Sequence, residues 1–370
     1  MNVPMLDLSE QYQTLKPKMM EVLDDVMSSS RFILGDYVKN LEADVAKYSN
    51  VAHGIGCGNG SDAIHIALQA GGIGEGDEVI TTAFTFFATG GAVARAGATP
   101  VYVDIDPVTF NIDPSKIEEA ITEKTKAIIP VHLYGQMADM NAIKEIADKH
   151  NLMVVEDAAQ AIGAKHNGKS VGELGTAATY SFFPTKNLGA YGDGGMIVTN
   201  HDDIAEKSKV IRVHGSKPKY YHHVLGYNSR LDELQAAVLS VKFPLLDQFS
   251  EARRERAAFY TEKLNEVVGD HVTTPVEKDG NYHVFHQYTL RVEKRDELQA
   301  FLKENGVATM VYYPMPLHIQ PVFKELGYKE GDLPLTEKAA KEAISLPMFP
   351  ELKEEQQLYV VEKIAEFYSK

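Results

Sequence analysis

One lysine, Lys186, stands between two short runs of β-forming residues and near several glycines, in residues 181–189 (SFFPTKNLG) and 191–198 (YGDGGMIV). The apolar run before it puts Lys186 at the carboxyl end of a predicted strand, the edge at which α/β sheets bind their ligands. Removal from water there would lower the pKa of the amine and make it a nucleophile. The alternative interpretation is a surface lysine in a glycine-rich loop.

A carboxylate follows a second buried-strand pattern, because residues 152–156 (LMVVE) lead directly into Asp157. Asp157 could pair with a protonated pyridine nitrogen, or it could cap the first turn of a helix that starts at Ala158. Glu156 alternates to the opposite face of the strand, so we expect a structural role for it. Gln160 could reach the same ligand as Asp157 or be an ordinary helix residue.

The lysine and the aspartate together suggest one kind of chemistry. A lysine that forms a Schiff base and an acidic partner for a pyridinium nitrogen are the two groups that pyridoxal phosphate requires of a protein. If Lys186 and Asp157 belong to one site, the sequence predicts a pyridoxal phosphate enzyme of the aminotransferase type.

Two segments near the predicted sheet could complete such a site. Residues 58–63 (GNGSDA) hold Gly60 and Ser61 just before a predicted helix, where free amide groups and close backbone approach attract a phosphate. The spacing fits neither a P-loop nor a dinucleotide fingerprint, so the alternative is an ordinary capped helix. Residues 83–89 (AFTFFAT) carry three aromatic side chains, and one of them could stack on a flat cofactor, although most such aromatics belong to the core.

Two later segments could present side chains to a ligand. Residues 312–321 (YYPMPLHIQP) form a proline-restricted loop with Tyr313 and His318, which could equally be a structural connection. The segment with Asn228 and Arg230, taken alone, indicates a turn and a helix cap. No metal site is predicted, because adjacent histidines cannot share one face of an element and one cysteine cannot build a thiolate zinc site.

Composition limits the class of protein. The chain has 370 residues, 44% of them hydrophobic, which suffices for a large core and about two domains. A net charge of −15 disfavours binding to nucleic acid or to an anionic membrane. The single cysteine, Cys57, allows no intrachain disulfide, and we find neither a signal peptide nor an apolar run near the ~18 residues that span a bilayer. We therefore predict a cytoplasmic protein.

The elements that must position these residues alternate between strand and helix from about residue 55 to 200. This alternation predicts an α/β fold with a mostly parallel sheet covered on both faces. The predicted strands span residues 78–82, 100–104, 126–132, 152–156, 178–183 and 195–199, and the predicted helices span residues 61–70, 89–96 and 139–149, with another that starts at Asp113.

The pattern changes after about residue 240. A long charged helix (248–267) leads into two predicted strands (287–292 and 307–313) and two further helices (295–305 and 351–370). We expect residues 1–245 to form a large domain and residues 246–370 a smaller C-terminal α+β domain, with the N-terminal segment free to pack on the small domain.

In order and spacing, these segments together resemble the DegT/DnrJ/EryC1/StrS family, the fold-type I sugar aminotransferases. The likeness runs along nearly the whole chain, and each segment alone is a weak signal whereas their combination is specific. It is carried by residues 31–35 (RFILG), 59–63 (NGSDA), 76–80 (GDEVI), 84–89 (FTFFAT), 100–106 (PVYVDID), 156–160 (EDAAQ), 181–186 (SFFPTK), 192–195 (GDGG), 228–230 (NSR) and 313–318 (YPMPLH).

The resemblance implies a role for each matched position. Lys186 would hold pyridoxal phosphate covalently and then move protons, and Asp157 would pair with the pyridine nitrogen. The other cofactor contacts would be Gly60, Ser61 and Ser181 at the phosphate, Phe86 against the ring, Gln160 at its 3′ oxygen, and Asn228 at the phosphate from the neighbouring subunit. The substrate contacts would be Arg230, Tyr313 and His318. A homodimer with shared active sites is therefore implied.

The resemblance also implies a reaction. An amino group would pass from glutamate to a keto group of a UDP- or dTDP-linked hexose, for amino-sugar biosynthesis in polysaccharide or antibiotic pathways. Carbon 3 is favoured from residues 59–62 and 181–186, with carbon 4 as the rival. Sugar dehydratases of the family carry histidine where Lys186 stands, which argues against a dehydratase. A pyridoxal phosphate lyase and a non-catalytic regulator on the same scaffold remain as alternatives.

Overall fold

A computed structural model of the chain describes residues 1–369. The strands are β1 (His53–Cys57), β2 (Glu78–Thr82), β3 (Thr99–Val103), β4 (Thr125–Ile129), β5 (Met153–Asp157), β6 (Lys165–His166), β7 (Lys169–Ser170), β8 (Ala177–Ser181), β9 (Gly195–Thr199), β10 (Val272–Thr273), β11 (Asn281–Tyr282), β12 (Tyr288–Val292) and β13 (Ala343–Leu346). The α-helices are α1 (Ser9–Ser29), α2 (Asp36–Tyr48), α3 (Gly60–Ala70), α4 (Phe87–Arg95), α5 (Met140–His150), α6 (Asp202–Ile211), α7 (Glu233–Lys242), α8 (Leu246–Val267), α9 (Arg295–Glu304), α10 (Pro334–Glu342) and α11 (Glu354–Tyr368).

The largest sheet has seven strands in the order β1-β9-β8-β5-β4-β2-β3. All neighbouring strands from β8 to β3 are parallel, and β9 runs antiparallel to both of its neighbours. The mostly parallel central sheet that the alternating pattern predicts is therefore confirmed. Its parallel strands put their carboxyl ends at one edge, and β5 and β8, which end at Asp157 and Ser181, are neighbours there.

Alternate residues of each strand point to opposite faces of the sheet, as the pleat requires. On one face, Val79 and Val155 pack with helices α3, α4 and α6. On the other face, Ile80 and Val154 pack with α2, α5 and α7. Because both faces are covered, the central strands are apolar along their length, which explains why the sequence shows continuous apolar runs.

The chain after residue 245 forms a second hydrophobic cluster around the antiparallel sheet β10-β12-β13, flanked by α8, α9 and α11. Val3 from the N-terminus is part of this cluster, and its backbone amide donates to the carbonyl of Gly306 at 2.8 Å. The exact division at residues 245 and 246 stays a prediction.

Two of the predicted elements differ in the structure. Residues 307–313 are not a strand, because this segment pairs with two different partners for one residue each, Val307 with Val3 and Met310 with Ser345. The helix expected from Asp113 is a short 3-10 turn (Pro114–Lys116) capped by the Asp113 side chain. Within residues 1–369, no helix has both the length and the apolar character needed to cross a membrane.

Candidate active site

A cavity of about 480 Å³ opens at the carboxyl edge of the central sheet. It brings together eight of the residues singled out in the sequence: Gly60, Ser61, Phe86, Asp157, Gln160, Ser181, Lys186 and Tyr313. Its other lining residues are Asn59, Ile64, Thr85, Ala88, Val131, Ala159, Phe183, Thr185, Asp193, His286, Gln287 and Tyr312. The cavity thus combines residues separated by more than two hundred positions in the chain.

Lys186 enters the cavity from a tight turn just after β8, in which its backbone amide donates to the carbonyl of Phe183 at 2.9 Å. Its side chain is partly buried, and within the described chain the Nζ atom has no hydrogen bond and no ion pair. Burial lowers the pKa of Lys186 to about 8, although the charge of Asp157 opposes that shift. An accessible amine with this pKa is neutral in part near neutral pH, as a nucleophile must be.

Asp157 ends β5 and is buried, with both carboxylate oxygens occupied. Oδ2 accepts a 2.7 Å hydrogen bond from the hydroxyl of Thr89, and Oδ1 accepts a 3.2 Å bond from the amide of Ala159. Burial raises the pKa of Asp157, while these bonds and the nearby Lys186 favour its charged form. No helix follows residue 157, so the carboxylate is not a helix cap. Asp157 and Lys186 face the same cavity.

The amino end of α3 forms a narrow part of the cavity. A Cβ atom added to Gly60 would lie 2.6 Å from the Cβ of Ser181, and one added to Gly195 would lie 2.7 Å from the amide nitrogen of Gly60. The strand ends therefore approach the first turn of the helix too closely for any side chain. The free amides of that turn, with the hydroxyls of Ser61 and Ser181, can bind an anion such as phosphate.

Gln160 and two aromatic residues line another wall. The Gln160 Oε1 atom accepts from the amide of Tyr134 at 2.7 Å, and its Nε2 donates to the hydroxyl of Tyr313 at 3.1 Å. These bonds fix the orientation of the amide and leave its second N–H hydrogen for a ligand. The ring of Phe86, half exposed, lies 6.1 Å from the ring of Tyr313. Phe86 is therefore an aromatic surface at the cavity and not part of the core.

Three predicted residues do not line this cavity. Asn228 is exposed and Arg230 partly buried, while Ser229 between them donates to Asp62 at 2.8 Å and ties the segment to the start of α3. His318 is fully buried and pairs through Nε2 with Glu337 at 3.2 Å. A short 3-10 turn (Leu317–Ile319) carries the His318 side chain into the interior, and its contact with the substrate stays a prediction.

Two lining or supporting residues were not predicted. Thr89 is a threonine within the first turn of α4, and only the fold reveals its bond to a carboxylate 68 positions away. His286 is buried and its Nδ1 lies 3.1 Å from Oδ1 of Asn187. Burial and the charge of Lys186 hold the pKa of His286 well below its usual value, so its imidazole is neutral. Among residues 1–369, no His, Cys, Asp or Glu cluster is arranged to hold a metal.

The donor set suits one kind of ligand, a flat ring with a phosphate, an aldehyde and a basic ring nitrogen. The narrow space around Gly60, at the start of α3, would bind the phosphate. The unpaired amine of Lys186 would react with the aldehyde, and the buried carboxylate of Asp157 would pair with the protonated ring nitrogen. Pyridoxal phosphate has all of these groups, so the residues present fit it.

The sequence model of the DegT/DnrJ/EryC1/StrS aminotransferase family matches residues 13–365. The chain belongs to this family. The resemblance seen in the sequence is therefore confirmed, together with the aminotransferase class and the dependence on pyridoxal phosphate.

Three similar proteins extend the comparison of this family member. A pleiotropic regulatory protein of Geobacillus stearothermophilus is 80% identical over 368 residues, 100% of this chain and 99% of that protein. A UDP-N-acetyl-3-dehydro-α-D-glucosamine 3-aminotransferase of Acidithiobacillus ferrooxidans is 48% identical and covers 96% of this chain and 95% of its own. The solved structure of S. venezuelae DesV, 41% identical, matches 100% of this chain and 99% of DesV with a TM-score of 0.96. The predicted fold class is confirmed.

Proposed function

We propose that this aminotransferase moves an amino group from glutamate to the 3-keto group of a UDP- or dTDP-linked hexose. The observation that carries the proposal is the unpaired amine of Lys186, which faces the same cavity as the buried carboxylate of Asp157. The sugar and the carbon position rest on the 3-aminotransferase of A. ferrooxidans, a 48% identical relative named for a UDP-linked 3-dehydro sugar.

The residues of the cavity would have different roles in the reaction. When bound, pyridoxal phosphate supplies an electron-accepting ring that stabilises negative charge on the carbon next to the reacting nitrogen. Asp157 would keep a proton on the ring nitrogen, because a buried carboxylate favours a cation beside it. Lys186, with a pKa of about 8, can take up and give back a proton at Nζ near neutral pH.

The remaining cofactor contacts are assigned from where each residue lies in the cavity. The amide of Gly60 and the hydroxyls of Ser61 and Ser181 would bind the phosphate at the start of α3. Phe86 would cover one face of the ring, and the free N–H of Gln160 would reach an oxygen on its edge. Tyr313, held by Gln160, would face the substrate side.

The dimer is also a proposal. Asn228 and Arg230 lie outside the cavity of their own chain, and Asn228 is exposed on a segment anchored beside α3. We therefore assign Asn228 to the phosphate and Arg230 to the substrate in the cavity of a second copy. The cytoplasmic location predicted from the sequence stays a prediction.

A regulatory function is the second candidate, because the 80% identical relative is named a pleiotropic regulatory protein. A regulator without catalysis would have no need for an unpaired amine with a lowered pKa in an accessible cavity. That observation favours an enzyme.

Spectroscopy of the purified protein separates the candidates. An aminotransferase loaded with pyridoxal phosphate should show a visible absorbance band that glutamate bleaches, and one of four nucleotide sugars (UDP- or dTDP-linked, 3-keto or 4-keto) should restore it. Nitrogen-15 from labelled glutamate should then appear in the sugar. Lys186→Ala should abolish the cycle, whereas Lys124→Ala, at an exposed lysine, should leave it intact. Release of labelled ammonia would instead indicate a lyase, and a band that glutamate does not bleach would contradict glutamate as the amino donor.

A further inference from the structure

The loop that carries Lys186 is closed by its own backbone. The amide of Ala190 donates to the carbonyl of Phe182 at 2.8 Å, so the loop leaves β8 and returns to the same point. Because the Nζ atom of Lys186 has no partner in the described chain, no side-chain contact fixes the amine. Its position depends on how firmly the loop is held.

A second buried lysine holds the far end of this loop. Lys242, the last residue of α7, is 2% exposed, and its Nζ donates to the carbonyl of Gly189 at 2.8 Å. The same ammonium group lies 4.4 Å from the centre of the Tyr191 ring. Gln235, also on α7, accepts from the amide of Tyr191 at 2.9 Å. One helix thus anchors two consecutive parts of the loop.

The side of the loop next to Lys186 is held by another set of contacts. Asn187 donates to the carbonyl of Val284 at 3.0 Å and contacts the imidazole of His286. The buried guanidinium of Arg253, on α8, donates to the carbonyl of His286 at 3.3 Å and to that of Met348 at 3.0 Å. The segment that receives Asn187 is therefore itself fixed to α8.

Burying the charged form of Lys242 reduces the stability of the fold. No carboxylate lies within ion-pair distance of it in residues 1–369, and Gly189 is its hydrogen-bond acceptor there. Burial lowers the pKa of Lys242 to about 8, which the more distant charge of Glu351 only partly opposes. An apolar side chain of similar length would fill this space without that penalty. What the ammonium adds is a fixed position for the Gly189 carbonyl and the Tyr191 ring.

We propose that Lys242 is a positioning residue for Lys186, holding the far end of the loop on which the reactive amine is carried. Asn187 and Arg253 provide the opposing support. The inference rests on the proposed role of Lys186 as the lysine that binds pyridoxal phosphate.

The test compares Lys242→Met with the unsubstituted protein, both loaded with pyridoxal phosphate. The visible absorbance is titrated against pH, since its midpoint follows protonation of the Lys186 nitrogen, and kcat and KM are measured with the keto-sugar that restores the band. We expect the midpoint to move by about half a pH unit or more, kcat to fall about 10-fold and KM to change less than about twofold. Lys124→Met, at an exposed position, should change none of these.

Two further variants keep the result interpretable. Lys242→Arg keeps a buried cation and should return the midpoint and kcat toward the unsubstituted values. Should the methionine variant not fold, Lys242→Leu likewise removes the donor to Gly189, and the same shift of the midpoint is expected in it. An unchanged midpoint with kcat within about twofold, in a folded variant, would overturn the inference. Absence of a visible band in the unsubstituted protein would instead overturn the proposed function itself.

Discussion

At the scale of single residues, burial acts in opposite directions on the two groups that define the cavity. It lowers the pKa of Lys186 and raises that of Asp157, so each is moved toward its neutral form. Their mutual attraction and the bonds to Asp157 oppose this shift. The charge on Asp157 therefore depends on its hydrogen-bond donors, of which the hydroxyl of Thr89 is the closest.

Thr89→Val should weaken the charged form of Asp157. The valine has nearly the same shape but cannot donate to Oδ2, so the pKa of Asp157 should rise further. Because the reaction needs the ionised carboxylate, the acid limb of the kcat profile should move to higher pH, and kcat at neutral pH should fall about 10-fold. The measurement is kcat against pH with the loaded enzyme.

Thr89→Ser is the matched control, since it keeps the hydroxyl and removes only a methyl group. Its acid limb should coincide with that of the unsubstituted protein. If the serine and valine variants shifted equally, packing of the methyl group, and not the bond to Asp157, would be the cause.

Some residues of the site could be predicted from the sequence and others could not, for a physical reason. Lys186 and Asp157 follow apolar strands, and that pattern alone puts both at the carboxyl edge of a sheet. The partners of these residues have no local pattern, because Thr89 and His286 are defined by contacts across the fold. The orientation of His318 could not be predicted either, since a proline-rich loop does not reveal which way its side chains point.

At the scale of elements, the site is built where two strand ends meet one helix start. In the register of β5 with β8, Asp157 pairs with Thr179, and Ser181 ends β8 two residues further on. Helix α3 begins against Ser181. The central strands were predictable because both faces are buried and the runs are continuously apolar. The segment 307–313 was predicted wrongly, since a run of β-forming residues says nothing about whether a neighbouring strand is available to pair with it.

Gly60→Ala should weaken phosphate binding at the start of α3 more than it destabilises the fold. The added Cβ would lie 2.6 Å from the Cβ of Ser181, so the first turn of α3 must move away from β8. We expect the dissociation constant for pyridoxal phosphate, measured by absorbance titration, to rise about 10-fold or more, with a loss of stability on the order of 1–3 kcal/mol.

Gly74→Ala provides the control for this substitution. Its added Cβ would meet only the carbonyl oxygen of Ala96, at 3.8 Å, which is an ordinary contact. Its affinity for the cofactor should match that of the unsubstituted protein. Equal affinities in the Gly60 and Gly74 variants would contradict a phosphate site at the start of α3.

At the scale of the whole molecule, buried neutral histidines make the fold sensitive to acid. His283 is buried against the ring of Phe285, and burial lowers its pKa to about 3 with help from the charge of Arg254. Between about pH 3 and the usual value near 6.5, the unfolded chain binds the proton and the folded chain does not. Stability from this group is complete above about pH 6.5 and is lost as the pH falls.

His283→Asn should therefore flatten the dependence of stability on pH. The asparagine oxygen can still accept the hydrogen bond that the amide of Phe285 donates to His283 at 3.0 Å. Urea unfolding between pH 5 and pH 6.5 should give a slope shallower by up to about 1.4 kcal/mol per pH unit. His201→Gln, at an exposed histidine with no ion pair in residues 1–369, should leave the slope unchanged. An unaltered slope in the His283 variant would show that other groups set the acid limit.

If two chains share each active site, mixing two different inactive variants should restore part of the activity. A chain with Lys186→Ala and a chain with Asn228→Ala should each be inactive or nearly so, yet a mixed dimer would contain one site with both residues intact. If chains exchange at random, about half of the dimers are mixed and half of their sites work, so about a quarter of the activity should return.

The control pairs Lys186→Ala with Asp157→Asn, two residues that line one cavity within a single chain. Mixing these variants should restore nothing, because every site would lack one or the other group. Recovery in both mixtures would point to contaminating unsubstituted protein. Recovery in neither, with exchange verified by mass spectrometry, would place Asn228 in the site of its own chain or outside any site. Recovery in the first mixture alone would establish that one chain completes the cavity of the other.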